Sequence, residues 1–346
     1  MAFASSANNL VVGDSNNTYD IFVHDRDTVT TTRVSVDSAG LQATNSSTNP
    51  SLSSDGRYVA FQSDATNLVA GDNNGASDVF VHDRNTASTS RVSVDGGGQE
   101  VNSSSSYASI SGDGTRVAFG SNASNLVPGD INGQRDVFVR DLSAGTTSRV
   151  NISSAGLQAN NYSDAPAISA DGRTVVFYSQ ASNLSPLANA GYYNVFARDL
   201  LLGVTSLIST DSERRIGASY STSSPAVSAD GTWVAFASDV SNWILQRGRN
   251  GPSQDVFLAQ RLFQQQSTAV ITADTPDPSV VGLAFPVVVS VTGPSAAPSD
   301  GQVRVQSSSG EFCIDSDGPV ANAGAAEFSC VLTINSAGSR DLTAAF

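Results

Sequence analysis

A seven-residue pattern, D-x-N-x-x-x-D, occurs three times: at Asp14, Asn16 and Asp20, at Asp72, Asn74 and Asp78, and at Asp130, Asn132 and Asp136. Hard oxygen ligands at the first and third positions of a tight turn, closed by a further carboxylate, are what Ca2+ uses. The pattern falls short of an EF-hand loop, having no Gly at its sixth position and no Glu at its twelfth. Turn chemistry is the competing reading, because Asn-rich steps favour turns and a closing Asp can start a strand by accepting a backbone N–H. A fourth copy has Ala188 and Asn194 at the two carboxylate positions, and a fifth is rebuilt from Trp243 to Gln254. Three Ca2+ sites at most are therefore expected.

A second recurrence pairs Gln42 with Asn45, Gln99 with Asn102, and Gln158 with Asn161. Amides followed by serines and turned toward a channel mouth would suit sugars or peptide backbones, and the alternative is that they cap their own loops. Tyr192, Tyr193, Tyr220 and Trp243 fall in neighbouring loops, where aromatic faces either stack on sugar rings or pack the loop base. The basic spots Arg214, Arg215, Arg247 and Arg249 read as solvated. The only histidines, His24 and His82, occupy one strand position that holds Arg140, Arg198 and Gln260 in the other copies. Such tolerance predicts an exposed site, which leaves no histidine base. Neither G-x-S-x-G, H-E-x-x-H nor C-x-x-C occurs, so any catalysis would rest on carboxylates with a metal activating water.

The elements that carry these residues repeat. Phe3, Phe61, Phe119, Phe177 and Phe236 close equivalent apolar triplets at spacings of 58, 58, 58 and 59 residues. A second apolar strand follows each, as in Val79-Phe80-Val81, and Asp-Gly turns recur at 55, 113, 171 and 230. The second copy resolves into strands at 50–53, 57–62, 78–82 and 89–94. Four short antiparallel strands at a fixed period predict a β-propeller, with the long loops of one face as its working face. The first copy shows no innermost strand, from which a fragment of a longer chain is expected.

The stretches "ISADGRTVVF" (168–177) and "NLVAGDNNGASDVFVHDR" (67–84) resemble the WD-like propeller repeats of the Tol-system periplasmic protein and its bacterial secreted relatives. That resemblance implies a propeller fold and a location in the periplasm, at the cell surface or outside the cell; the repeat serves binding scaffolds and peptidase accessory domains alike. Residues 269–346, entered through Pro276, Pro278 and Pro286, resemble the bacterial Ig-like repeat, expected to be truncated at Phe346. Their only cysteines, Cys313 and Cys330, are expected to form a disulfide in an oxidising compartment. The expected architecture is all-β: a five-bladed β-propeller over 1–268, then an Ig-like β-sandwich over 269–346.

Charge narrows the partners. The 18 basic residues are all arginine, against 32 acidic residues, for a net charge of −14. Such a chain repels phosphate backbones, so no nucleic acid is expected, and no run is apolar enough for a membrane span. The expected function is an extracytoplasmic binding module or scaffold for a glycan, protein or small molecule, with calcium-binding loops. A metal-dependent ester or phosphoester hydrolase and a structural spacer are the alternatives.

Overall fold

A computed structural model of the chain describes residues 1–188, 192–210, 225–238 and 255–261, and the backbone of seven strands beyond them. Two compact units divide it, Met1–Arg261 and Leu262–Phe346, a few residues before the boundary expected at 268/269.

The described part of the first unit is β throughout. Sheet one holds β1 (Ala2–Ser5), β2 (Asp20–Asp25) and β3 (Thr30–Arg33). Sheet two holds β4 (Ser47–Leu52), β5 (Tyr58–Ser63), β6 (Asp78–Asp83) and β7 (Ser88–Arg91). Sheet three holds β8 (Ser105–Ile110), β9 (Arg116–Ser121), β10 (Asp136–Asp141) and β11 (Thr146–Arg149). Sheet four holds β12 (Ser163–Ile168), β13 (Thr174–Ser179), β14 (Asn194–Asp199) and β15 (Val204–Leu207). Sheet five holds β16 (Ala226–Val227), β17 (Trp233–Ser238) and β18 (Asp255–Gln260). Every sheet is an antiparallel meander whose spatial order is its sequence order, and consecutive sheets stack face to face as propeller blades do.

The alternation of the sequence explains where the core lies. Phe61 and Phe80 face each other across β5 and β6 with ring centroids 6.0 Å apart, and Phe119/Phe138 and Phe177/Phe196 repeat the stack at 5.9 Å. The sheet sides meet the next sheet: Ala60, Val79 and Val81 of sheet two pack with Ala108, Val117 and Phe119 of sheet three. Polar bonds recur from junction to junction. Thr89, Thr147 and Thr205 donate through Oγ1 to the carbonyls of Val36, Val94 and Ile152 in the preceding repeat. The Ser54 N–H donates to Gly112 O at 2.8 Å, and the Gly112 N–H to Ala170 O at 2.9 Å.

The innermost strands begin earlier than the sequence suggests, at Ser47 rather than Pro50. Register breaks in β4, β8 and β12 at Asn49, Tyr107 and Ala165, which take positive φ values of 53°, 57° and 47°. Another strained position immediately precedes the outermost strands. Gly145 and Gly203 take φ of 65° and 68° there, whereas Val29 and Ala87 hold 54° with a side chain. The left-handed region costs a non-glycine residue about 1–2 kcal/mol, partly offset by the greater unfolded-state freedom of glycine. Val29→Gly, at a side chain 75% exposed, is thus expected to stabilise the chain by about 1 kcal/mol and raise its Tm by about 2–4 °C. A thermal melt of the full chain checks it, and a lower Tm would mean that the turn carries no strain.

In the second unit, β19 (Thr268–Asp274), β20 (Ala284–Thr292), β24 (Ala325–Thr333) and β23 (Val320–Asn322) form one antiparallel sheet in that order. A second sheet orders β22 (Phe312–Ile314), β21 (Arg304–Ser307) and β25 (Leu342–Ala345). Cys313 lies on β22 opposite Val305, and Cys330 on β24 opposite Val287. Their side chains, and so the expected disulfide, lie outside the described residues. No described helix is long and apolar enough to cross a membrane.

Candidate functional site

Each D-x-N-x-x-x-D loop folds over the start of a third strand, and the cation between its carboxylates is an arginine. In sheet one, Arg33 Nη1 lies 3.5 Å from Asp14 and 3.9 Å from Asp20. In sheet three, Arg149 lies 3.4 Å from Asp130 and 3.2 Å from Asp136. An amide ties each pair together: Gln42 Nε2 donates to Asp14 and Asp20 at 2.7 and 2.8 Å, and Gln158 Nε2 to Asp130 and Asp136 at 2.9 Å. The closing Asp20, Asp78 and Asp136 are fully buried and accept from Ser35, Ser93 and Asn151, two residues past the next strand. Asn16, Asn74 and Asn132 turn their carbonyls back on the backbone N–H of Thr18, Ala76 and Gln134 and donate to Ala43, Val101 and Ala159 O. They shape the loop by Asx turns. In the fourth copy Leu207 stands at the arginine position, so both carboxylates and their counter-ion are absent together.

Sheet two breaks the pattern. Bridges Val36↔Gln42, Val94↔Glu100 and Ile152↔Gln158 make Glu100, and not Gln99, the counterpart of the two glutamines. Arg91 Nη1 sits among three carboxylates, 3.6 Å from Asp72, 3.1 Å from Asp78 and 2.5 Å from Glu100. Burial first, then the Asp78 and Glu100 charges, push the Asp72 carboxyl up to about 6. Burial raises Asp78 and Asp136 as well.

Of the amides proposed to line the channel mouth, Asn45 and Asn161 accept from the N–H of the residue that follows, Ser46 and Tyr162. Asn102 is not their counterpart; it clasps Ser124 across two loops, as Asn160 clasps Ser182. The histidine position needs correction: Phe257 takes the place of Phe80, so Ala259, and not Gln260, is its fifth occupant. His82 is 5% exposed and Arg198 9%, because this strand position faces the preceding repeat. His82 Nδ1 shares a hydrogen bond with Thr89 Oγ1 at 2.9 Å, while Arg140 and Arg198 reach past the equivalent threonines to Asp95 O and Ser153 O. Imidazole and guanidinium are interchangeable there as buried hydrogen-bonding groups. Tyr220, Trp243 and the four candidate arginines between 214 and 249 lie outside the described residues.

A second cluster sits where the innermost and second strands of sheets three and four end at the long loops. Arg135 Nε lies 2.8 Å from Asp164 Oδ1, with side chains 7% and 3% exposed. Tyr162 donates its hydroxyl to Asp164 Oδ2 at 2.8 Å, and burial together with that carboxylate raises its phenol well above the usual range. Tyr162 stacks on Tyr178 at 6.2 Å, and Tyr193 meets Tyr178 edge-on at 5.3 Å. Arg135 also lies 6.0 Å from the Tyr107 ring, which is 44% exposed. Gly120 makes room for the pair, since a Cβ there would lie 2.1 Å from Asp164 Oδ1 and 2.9 Å from Arg135 Nη2. Only Tyr193 was singled out in the sequence; Tyr192, beside it, accepts through its carbonyl from Asn194. The others stand out as departures from the repeat. Arg135 replaces Tyr19, Ser77 and Tyr193, and Asp164 replaces Thr48 and Ser106.

No protein-family model matches the chain. No curated protein matches it. Among solved structures it is similar to a TolB protein from Agrobacterium tumefaciens, with 15% identity, a TM-score of 0.40, and 90% of this chain and 97% of that one covered. It is also similar to the dihydro-heme d1 dehydrogenase NirN, with 11% identity, a TM-score of 0.39, and 91% and 50% covered. A third is an oligogalacturonate lyase in complex with manganese, with 12% identity, a TM-score of 0.35, and 78% and 62% covered. The chain's own strand order and sheet stacking make the first unit a β-propeller fold.

Proposed function

We propose that the chain is an extracytoplasmic binding module, its five sheets acting as five propeller blades followed by an Ig-like sandwich. The ligand is a glycan held at the tyrosine-rich rim of sheets three and four. The carrying observation is the set of Tyr107, Tyr162, Tyr178 and Tyr193 rings around the Arg135–Asp164 pair. Aromatic faces offer sugar rings a stacking surface, and the buried ion pair beneath them, bonded to the Tyr162 hydroxyl, fixes where the rings stand. Calorimetry of the full chain against chitohexaose, cellohexaose and xylohexaose tests it. Binding of at least one is expected, with Tyr107→Ala and Tyr193→Ala each weakening it about tenfold, the equivalent of about 1.4 kcal/mol. Thermal melts should show both variants folded. No binding to any of the three, or binding untouched by both variants, would leave a protein-binding or spacer role instead.

A further inference from the structure

The three arginine-centred loops form an internal comparison, and sheet two is the one that does not balance. In sheets one and three, two carboxylates face one guanidinium and one amide that donates to both. Glu100 has no N–H to donate, and it adds a third negative charge where the glutamines add none. Asp72 shows the consequence. Its side chain is 2% exposed, and its Oδ1 faces the Arg91 guanidinium at 3.6 Å without accepting a hydrogen bond. A buried carboxylate oxygen without a donor is costly unless a cation supplies the missing charge.

We propose that Asp72, Asp78 and Glu100 form a Ca2+ site, one that the ion enters by displacing the Arg91 guanidinium. One oxygen from each of the three carboxylates lies within 4.8 Å of the others. Oxygens that bind one Ca2+ at about 2.3–2.6 Å can be no farther apart than about 4.6–5.2 Å, so these separations lie within the span of one Ca2+ shell. Glu100, 21% exposed, is the open side through which the ion and its remaining water ligands arrive. Arg91 keeps an acceptor after leaving, because its Nη2 already donates to Gly71 O at 3.1 Å. Asn74 is not a ligand in this arrangement, since its carbonyl holds the Ala76 N–H. Mg2+ is disfavoured, because it demands near-octahedral geometry and retains its waters, whereas Ca2+ accepts an irregular carboxylate set. The site stands apart from the rim of sheets three and four and does not depend on the glycan reading.

The test uses the full chain stripped with chelator and titrated with CaCl2 or MgCl2, followed by calorimetry and by thermal melting. One Ca2+ per chain is expected, with a rise in Tm that EDTA reverses and with Mg2+ at least tenfold weaker. Glu100→Gln rebuilds the arrangement of sheets one and three; it should melt no lower than the ion-free parent and lose Ca2+ binding at least tenfold. Gln158→Glu makes the opposite change in sheet three and should raise the stoichiometry from one to two. Absence of Ca2+ binding in the parent, or binding unchanged in Glu100→Gln, would overturn the proposal. Equal binding at three sites would overturn it too, because it would assign the ion to the shared Asp–Asn–Asp pattern.

Discussion

Replacing Arg135 by Met is expected to destabilise the propeller unit by about 3–5 kcal/mol, the usual loss when one partner of a buried ion pair is removed. Asp164 is 2% exposed and would keep only the Tyr162 hydroxyl as a donor. Arg135 also bonds Gly120 O and Ser106 Oγ, so two further acceptors would lose their donor. At about 2–4 °C per kcal/mol for a unit of this size, Tm should fall by about 10 °C. Changing both partners, Arg135→Met with Asp164→Leu, should recover much of the loss, because no unpaired charge stays buried. Denaturant melts of the two single variants and the double variant measure the coupling. A single-variant loss below about 1 kcal/mol, or a double-variant loss equal to the sum of the singles, would mean that solvent reaches the pair.

The second large effect belongs to the apolar core. Phe80 is fully buried and stacked on Phe61 at the junction where Ile21, Val23 and Val34 of sheet one meet sheet two. Phe80→Ala removes most of a ring from close-packed surroundings and is expected to cost about 3–5 kcal/mol in a denaturant melt. Val12→Ala, at a fully exposed side chain, should stay within about 0.5 kcal/mol and serves as the control. If the two variants melt alike, adjacent sheets do not share a packed core there.

The repeat was legible because each period writes the same physics: an apolar triplet, an Asp-Gly turn and a second apolar strand. Asp55 shows why the turn is so regular, its carboxylate accepting both Ser53 Oγ–H and the Arg57 N–H while Gly56 takes φ of 73°. The innermost strands were harder to read, since Ser47, Thr48 and Asn49 look like loop residues and the register break hides their alternation. The counter-ions of the acidic loops were missed for a different reason. Arg33, Arg91 and Arg149 follow the closing Asp by 13 residues, on the neighbouring strand, so a local motif displays the carboxylates without their partner. At the histidine position, variety of residue type suggests exposure, although a buried polar junction also admits several donors. The rim cluster is assembled from two sheets and the loops beside them, and no single stretch of sequence contains it.

The bonds repeated from one sheet junction to the next bear on how such a gene can change. The Thr-to-carbonyl bond recurs between residues 53 positions apart at three junctions, and Ser51 and Ser109 each accept through Oγ from a backbone N–H 59 positions downstream, that of Ile110 and Ile168. Unequal recombination that gains or loses one whole 58-residue period would therefore reproduce a satisfied junction on both sides. A crossover displaced by a single residue would turn every following strand over, placing phenylalanines where the outward side chains had been. Copy number is thus the inexpensive direction of variation for this chain, while Arg135, Asp164 and Glu100 mark repeats that can no longer be exchanged freely.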